Sequence, residues 1–494
     1  MSNEQASSIP SGKLWSMTAL TLAIANIADL LAAVRKLSDN LYNLLIFDWR
    51  GATYLPWALG IIGYGLLAYA VYATVRVKRP NLKREAAVVM TLIPVITLFA
   101  VNVFAVGFGK HPDDVWKPVM ERASTRLRSA ADPTGGFRID ATNRTAPRQA
   151  WTTAQGLVAS LMAQPGLKEP PLKSESELAT HLNYLESARS ETQGGWAYFP
   201  NTGWAVTEVN AWVTVANVYA LRSPLVKSES LKTMLLERIV RDLQDISVRQ
   251  TATGGWKPID DQKYLARGPV CAVADENLTG IPAPSSDLTR TYSTIMALWA
   301  FTEARSLPSF PADASAKYDA SIRDGVTWLL NNYFDNVGWV ANPSRKDTRE
   351  SFPGLTAQAL FVLDRVNRVA PHLILQKLKL RQAKHEFLQM KGLKSESISA
   401  NSRVPDFDIY LFPTNQATEG STFLWFPWSL ATLSDLQNDQ ELSADDTKVA
   451  LNLRNHLLTF AEQEEEYLEQ ALPYELSETL IGLNVAFNPS WSQQ

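Results

Sequence analysis

Four carboxylates in this chain occupy positions suited to acid–base chemistry. Glu208, Asp287 and Glu419 stand at or near the start of stretches that read as helices apolar nearly all round; Asp408 lies in the run Asp406-Phe407-Asp408-Ile409. A carboxyl at a helix start inside a concave, partly dry site has a fixed position and a shifted pKa, as a general acid or base requires. Arg148, Trp151, Trp212, Arg290, Tyr292 and Trp425 fall near the same helix starts. Carboxylates, arginine and aromatic rings around one opening suit a saccharide or a lipid headgroup, and paired carboxylates are the means by which glycosides are cleaved. Arg290 is the natural counter-charge, holding one acid ionised while another stays protonated. Asp287 is also a good N-cap, and Glu208 and Glu419 fit capping turns, so a structural role is open to each.

Metal and cofactor chemistry find less support. The single cysteine, Cys271, and the five histidines, His111, His181, His372, His385 and His456, match no zinc-ligand spacing. Asp260-Asp261 and Asp275-Glu276 read as solvated loop acids. The repeat region has neither a phosphate-cradling glycine loop nor a nucleophile elbow. No metal and no cofactor is expected.

The elements that must position these residues are announced by a triplet. Gly135-Gly136-Phe137, Gly194-Gly195-Trp196 and Gly254-Gly255-Trp256 are followed by a weaker copy, Val337-Gly338-Trp339, with the aromatics 59, 60 and 83 residues apart. Such self-similarity marks a repeat architecture. Between the triplets, one-sided amphipathic stretches such as 177–190 alternate with stretches apolar all round, such as 207–221 and 291–304. The alternation predicts an outer and an inner ring of helices. Outer helices are expected near 113–130, 175–190, 228–248, 316–334, 372–392 and 444–465. Inner ones are expected near 148–163, 207–221, 289–304, 353–367, 419–435 and 474–486. The glycines would cap the outer helices with positive φ, and the aromatics would fill the gap between neighbouring pairs.

Residues 113–487 thereby resemble the α/α-toroid superfamily of squalene cyclases and protein prenyltransferase β subunits. Gln193-Gly194-Gly195-Trp196 and Gln250-Thr251-Ala252-Thr253-Gly254-Gly255-Trp256 are similar to the glutamine-to-tryptophan repeat of those cyclases. The resemblance implies an all-α, (α/α)6-type toroid with a central cavity. It does not bring the family's catalytic apparatus with it. The Asp-x-Asp-Asp acid motif is absent: Asp408 stands without its supporting residues, and Asp445-Asp446 opens an outer helix as a cap and dipole partner.

The first 110 residues are of another kind. Residues 52–75 and 86–109 are uncharged runs long enough to cross a bilayer as a helical hairpin, and 14–47 reads as an amphipathic or a third spanning helix. Arg76, Lys78, Arg79, Lys83 and Arg84 favour a cytoplasmic connector, which puts the toroid outside the cytoplasm, integral to the plasma (inner) membrane. Basic residues after the second run, Lys110 and Lys117 among them, compete with that orientation.

At 494 residues and 46% hydrophobic content the chain is neither disordered nor a single ordinary core, and a net charge of -3 gives no reason to expect nucleic acid. The expected function is a membrane-anchored toroid binding a lipid, an isoprenoid or a glycan in its cavity. A divergent enzyme, either a terpenoid cyclase or a glycan hydrolase or lyase, is the second reading. A membrane effector or scaffold in a multi-component system, such as a defence assembly, is the third.

Overall fold

The computed structural model describes residues 112–163, 167–197, 205–258, 289–340, 353–390, 425–463 and 471–487, with 72, 88, 343, 404–405, 422–423 and 468. The chain divides into two units, Met1–His111 and Pro112–Gln494, and the description below concerns the second. Among the described residues no helix is long and apolar enough to cross a membrane. The stretches 14–47, 52–75 and 86–109 lie outside them, apart from the isolated positions 72 and 88.

Among the described residues of the second unit, twelve α-helices alternate in character. The outer ones are α1 (Pro112–Ala130), α3 (Glu175–Ser187), α5 (Glu229–Ser247), α7 (Ala312–Asn331), α9 (Lys377–Phe387) and α11 (Ala444–Gln463). The inner ones are α2 (Ala150–Ala163), α4 (Thr207–Arg222), α6 (Thr291–Arg305), α8 (Pro353–Val369), α10 (Trp425–Leu436) and α12 (Pro473–Phe487). Each falls in a stretch that the sequence pattern marks. The inner helices pack in ring order α2, α4, α6, α8, α10, α12, and α12 packs back on α2, so the ring is closed. Every residue of α2 is buried, as is nearly all of α4, α6 and α12. That is why those sequences carry no polar stripe. Apart from the helices, two antiparallel pairs of two-residue strands are present, β1 (Phe137–Arg138) with β2 (Arg148–Gln149) and β3 (Val404–Pro405) with β4 (Thr422–Phe423).

The triplets join the rings by a repeated bond pattern. The backbone N–H of the aromatic donates to a side chain on the fourth residue of the next inner helix: Phe137 to Thr153 (2.8 Å), Trp196 to Asn210 (2.8 Å), Trp256 to Thr294 (3.0 Å) and Trp339 to Thr356 (3.2 Å). Each tryptophan's indole N–H donates to a carbonyl near the end of the preceding outer helix, Leu185, Ile246 or Leu329. Each of these carbonyls also accepts a backbone N–H, from Ala188, Arg249 and Asn332 respectively, so the indole adds a second bond at the helix end. The glycines make room for this. Gly195 has φ 139°, and a Cβ there would lie 2.5 Å or less from the Asn210 amide atoms. Gly254, at φ 102°, sits against the Asp324 carbonyl of α7.

Outer helices α3 and α5 start with Ser174 and Ser228 as side-chain caps. Inner helix α4 starts without one. Its first residue, Thr207, donates its N–H to Pro258 O (2.7 Å) and its hydroxyl to Lys257 O (2.6 Å). Thr291 of α6 likewise donates to Val340 O (2.6 Å). The starts of α4 and α6 are therefore latched to the next repeat.

The two faces of the ring differ in their connections. On the face where inner helices end, the links to the next outer helix are short, as in 223–228 and 306–311. On the face where inner helices begin, most links are longer, up to 248–290 and 388–424, although 464–472 between α11 and α12 is short. Long connections gathered on a rigid scaffold are the usual place for a binding site. This face is called the mouth below, and the opposite one the base.

Candidate functional site

Four aromatic side chains meet on the ring axis: Trp212 from α4, Trp299 from α6, Phe361 from α8 and Trp428 from α10. Trp212 and Trp299 are edge-on at 5.0 Å, Trp299 and Trp428 at 5.8 Å, Phe361 and Trp428 lie 5.6 Å apart, and Trp212 reaches Trp428 at 6.4 Å. Helices α4 and α10 stand opposite each other in the ring, so the last contact crosses the axis. None of the four is more than 2% exposed. Each indole N–H has an acceptor: Tyr292 Oη for Trp212 (3.3 Å), Glu303 for Trp299 (3.3 Å) and Glu478 for Trp428 (3.1 Å). At this depth the toroid holds a packed aromatic plug where the sequence pattern leads one to expect a cavity.

Among the described residues, three carboxylates lie in the N-terminal halves of inner helices; one of them, Glu475 in the first turn of α12, accepts from Leu472 N (2.7 Å) as a local cap. Glu208, in the first turn of α4, is 2% exposed. The Ser293 hydroxyl of α6 donates to its Oε1, and its Oε2 has no hydrogen-bond partner. Burial pushes this carboxyl up to about 7, against the pull of the Ser293 bond and of Arg249 and Arg290. Glu478 of α12, 2% exposed, accepts from Trp428 and from Gln155 Nε2 of α2 (3.1 Å). Gln155 Oε1 and Gln358 Oε1, both on fully buried residues, also have no hydrogen-bond partner. The ring interior therefore presents buried acceptor oxygens with room in their hydrogen bonding for donors. At the start of α2, Trp151 stacks on Tyr474 of α12 at 5.2 Å.

The expected site residues separate on this geometry. Glu208, Trp212 and Tyr292 come together with Ser293, and Trp151 joins Tyr474. Arg290 is the residue just before α6 and contributes to the field at Glu208. Arg148 is engaged elsewhere: it donates to Thr134 (2.9 Å) and Gly135 O (2.8 Å) and covers the Tyr184 ring at 4.8 Å. Asp287, Glu419 and Asp408 lie outside the described residues, as does the Trp425 side chain, although Trp425 opens α10. His181 is buried and accepts from Gly136 N (2.9 Å), a packing role. Asp446 sits in the first turn of α11, where its N–H meets Ser443 Oγ (3.1 Å).

Glu478 and Glu303 are among the buried inner-helix acids that motif reading passes over, with Asp364, Asp435 and Glu475. Both are charged residues inside stretches otherwise apolar all round, and that anomaly is the signal for them. Glu303, near the end of α6, is fully buried between Arg365 Nε (2.7 Å) and Arg222 Nη1 (2.7 Å). Burial alone would raise its carboxyl, but the two guanidiniums overcome that and hold it at about 2. On the same side, buried Lys384 of α9 bridges Asp364 of α8 and Asp439 (2.5 Å to the latter). These networks tie helices together at the base, away from Glu208.

No protein-family model and no curated protein matches the chain. Among solved structures it is similar to a cellobiose 2-epimerase from Bacillus thermoamylovorans B4167, at TM-score 0.51 and 11% identity, over 74% of this chain and 98% of that one. A type II terpene cyclase from Scytonema follows at TM-score 0.47 and 12% identity, over 76% and 98%. An α-1,6-mannanase from Salegentibacter sp. HEL1_6 has TM-score 0.46 and 10% identity, over 75% and 98%. At these identities the likeness concerns the fold alone. It supports an α/α toroid in general and not the cyclase or prenyltransferase branch in particular.

Glu208 gives a prediction on stability. Its ordinary value is 4.5 and its folded value about 7, so the folded state keeps a proton that the unfolded state releases across that window. Stability through this group is full below the ordinary value and falls as pH rises, by up to about 3 kcal/mol. Glu208→Gln removes the loss. Thermal unfolding at pH 5 and pH 8 should show the variant falling less between the two pH values than wild type; equal falls would mean that Glu208 is not buried as described.

Proposed function

We propose that this protein is a membrane-anchored α/α toroid that binds a polyhydroxylated ligand, a glycan or a glycan-bearing headgroup, at the mouth, with Glu208 as its proton-exchanging group. The observation that carries this reading is the Glu208 carboxyl: buried in the first turn of α4, held at one oxygen by Ser293 and open at the other. Gln155 and Gln358 offer further acceptors, and sugar hydroxyls are the matching donors. The aromatic plug argues against the isoprenoid alternative, because a long apolar ligand would need the axis that Trp212, Trp299, Trp428 and Phe361 fill. Trp151 and Tyr474 supply aromatic faces of the kind that sugars stack on. The uncharged runs 52–75 and 86–109 support the anchor.

The enzyme reading rests on the same residue. A carboxyl that titrates near neutral pH, with a second buried carboxylate, Glu478, on the same ring, is a pattern of acid–base catalysis. Sugar turnover fits it better than cyclisation, for want of axial space. The test is a glycan array and an isoprenoid-lipid panel, both read with full-length protein in detergent. Glycan binding is expected, and it should vanish in Glu208→Gln while the variant stays folded and is no less stable than wild type at pH 8. Thermal stabilisation by isoprenoid lipids with no glycan bound would overturn the reading.

A further inference from the structure

The two most exposed large apolar side chains among the described residues are neighbours. Leu375 is 67% and Leu378 79% exposed, although Leu373, Ile374 and Leu380 around them are buried. The segment therefore carries more leucine than its core contacts use. The side chains beside it are basic: Lys377 and Arg381 are exposed and Lys379 half-buried, and none has an ion-pair partner among the described residues. Two of the nearby acids are occupied, while Asp313 and Asp445 are exposed at the starts of α7 and α11. Glu386, the acid of α9, accepts from Tyr333 Oη and Asn336 N at 2.6 Å each, and Asp319 of α7 is held by Arg305 at 2.7 Å. Two exposed leucines beside three cations without an ion-pair partner among the described residues match an anionic lipid surface, where the apolar groups enter the headgroup boundary and the cations meet phosphate.

The position of the patch agrees. The N-terminus of α9 lies at the base, following the end of inner helix α8 through a 3-10 turn, Pro371–Leu373. The N-terminus of α1 lies at the base as well, because Trp116 stacks on Phe487 at the C-terminal end of α12 at 5.5 Å. The chain thus enters the toroid on the face that bears Leu375 and Leu378. We infer that the base, through Leu375, Leu378, Lys377, Lys379 and Arg381, docks on an anionic phospholipid bilayer and leaves the mouth directed away from it. The inference rests on the proposed membrane attachment.

The test uses the full chain with Cys271→Ser and one new thiol, either Leu378→Cys at the base or Val248→Cys, which is 60% exposed at the mouth end of α5. Each carries an environment-sensitive dye. The protein is reconstituted in vesicles of roughly three parts phosphatidylcholine to one part phosphatidylglycerol, with and without nitroxide lipid as quencher. The dye at 378 should be blue-shifted and quenched, and that at 248 neither. Reversal of Lys377, Lys379 and Arg381 to Glu should abolish the effect, and added salt should weaken it. No quenching at 378 in a chain that resists carbonate extraction overturns the docking face and leaves the anchor standing. Quenching at 248 in its place reverses the orientation. A chain that carbonate extracts removes the anchor itself.

Discussion

Trp256→Ala should cost the toroid about 3–5 kcal/mol, the scale of a large core truncation. The ring is fully buried, its indole N–H donates to Ile246 O at 3.1 Å, and it packs 5.7 Å from Phe301. Its far edge lies over Gly325 of α7, where an added Cβ would come within 2.4 Å of Trp256 Cζ3. One side chain thus touches the end of α5, the body of α6 and the middle of α7, so its loss leaves a hole with rigid walls. Trp196→Ala should cost a similar amount, and it also loses the indole bond to Leu185 O (2.6 Å). Trp256→Phe, which keeps most of the volume, should cost about 1–3 kcal/mol for the lost indole bond and partial cavity, since Ile246 O still accepts from Arg249 N. Chemical denaturation checks this, with and without ligand. An alanine variant of wild-type stability that has lost ligand binding would turn these tryptophans from structure into recognition.

Arg365→Met is the second large expected loss, about 3–5 kcal/mol. It leaves Glu303 fully buried with Arg222 as its remaining guanidinium, and a buried charge deprived of a partner is far costlier than a pair removed whole. The double variant Glu303→Gln with Arg365→Met should therefore be more stable than Arg365→Met alone, which a double-mutant cycle reads directly. Acid supplies an independent check. The carboxyl is held at about 2, below its ordinary 4.5, so its contribution is complete above 4.5 and disappears as pH falls toward 2. Wild type should lose more stability than Glu303→Gln across that window. Equal losses would mean that the pair is exposed in solution.

The helical rings were legible because burial leaves a mark on composition. Helices such as α4 and α6, packed on all sides, lose their polar stripe, and the glycine-glycine-aromatic triplets show where one pair hands over to the next. Glu208 was legible for the same reason, as an acid at the start of such a stretch. The axial plug was not. Trp212, Trp299 and Trp428 come from helices far apart in sequence, and an apolar all-round pattern does not say which side faces the axis. The latches at Thr207 and Thr291 and the fourth-position acceptors Thr153, Asn210, Thr294 and Thr356 are short polar residues in apolar runs, and their partners lie 14 to 50 residues away. Arg148 shows the opposite failure: its place in the sequence suggested the mouth, while a local turn had claimed it.

Closure of the ring also sets a timetable for synthesis. The flank of α2 that packs on α12 has no partner until residues 473–487 have been made, more than three hundred residues after α2 itself. At about 5–20 residues per second, that interval is roughly 15–60 s. During it the nascent domain is an open arc with two uncovered apolar edges, one at each end of the growing chain. A ribosome stalled before α12 would therefore hold a species inclined to pair with another arc, by exchange of terminal helices between copies, rather than a smaller version of the finished domain.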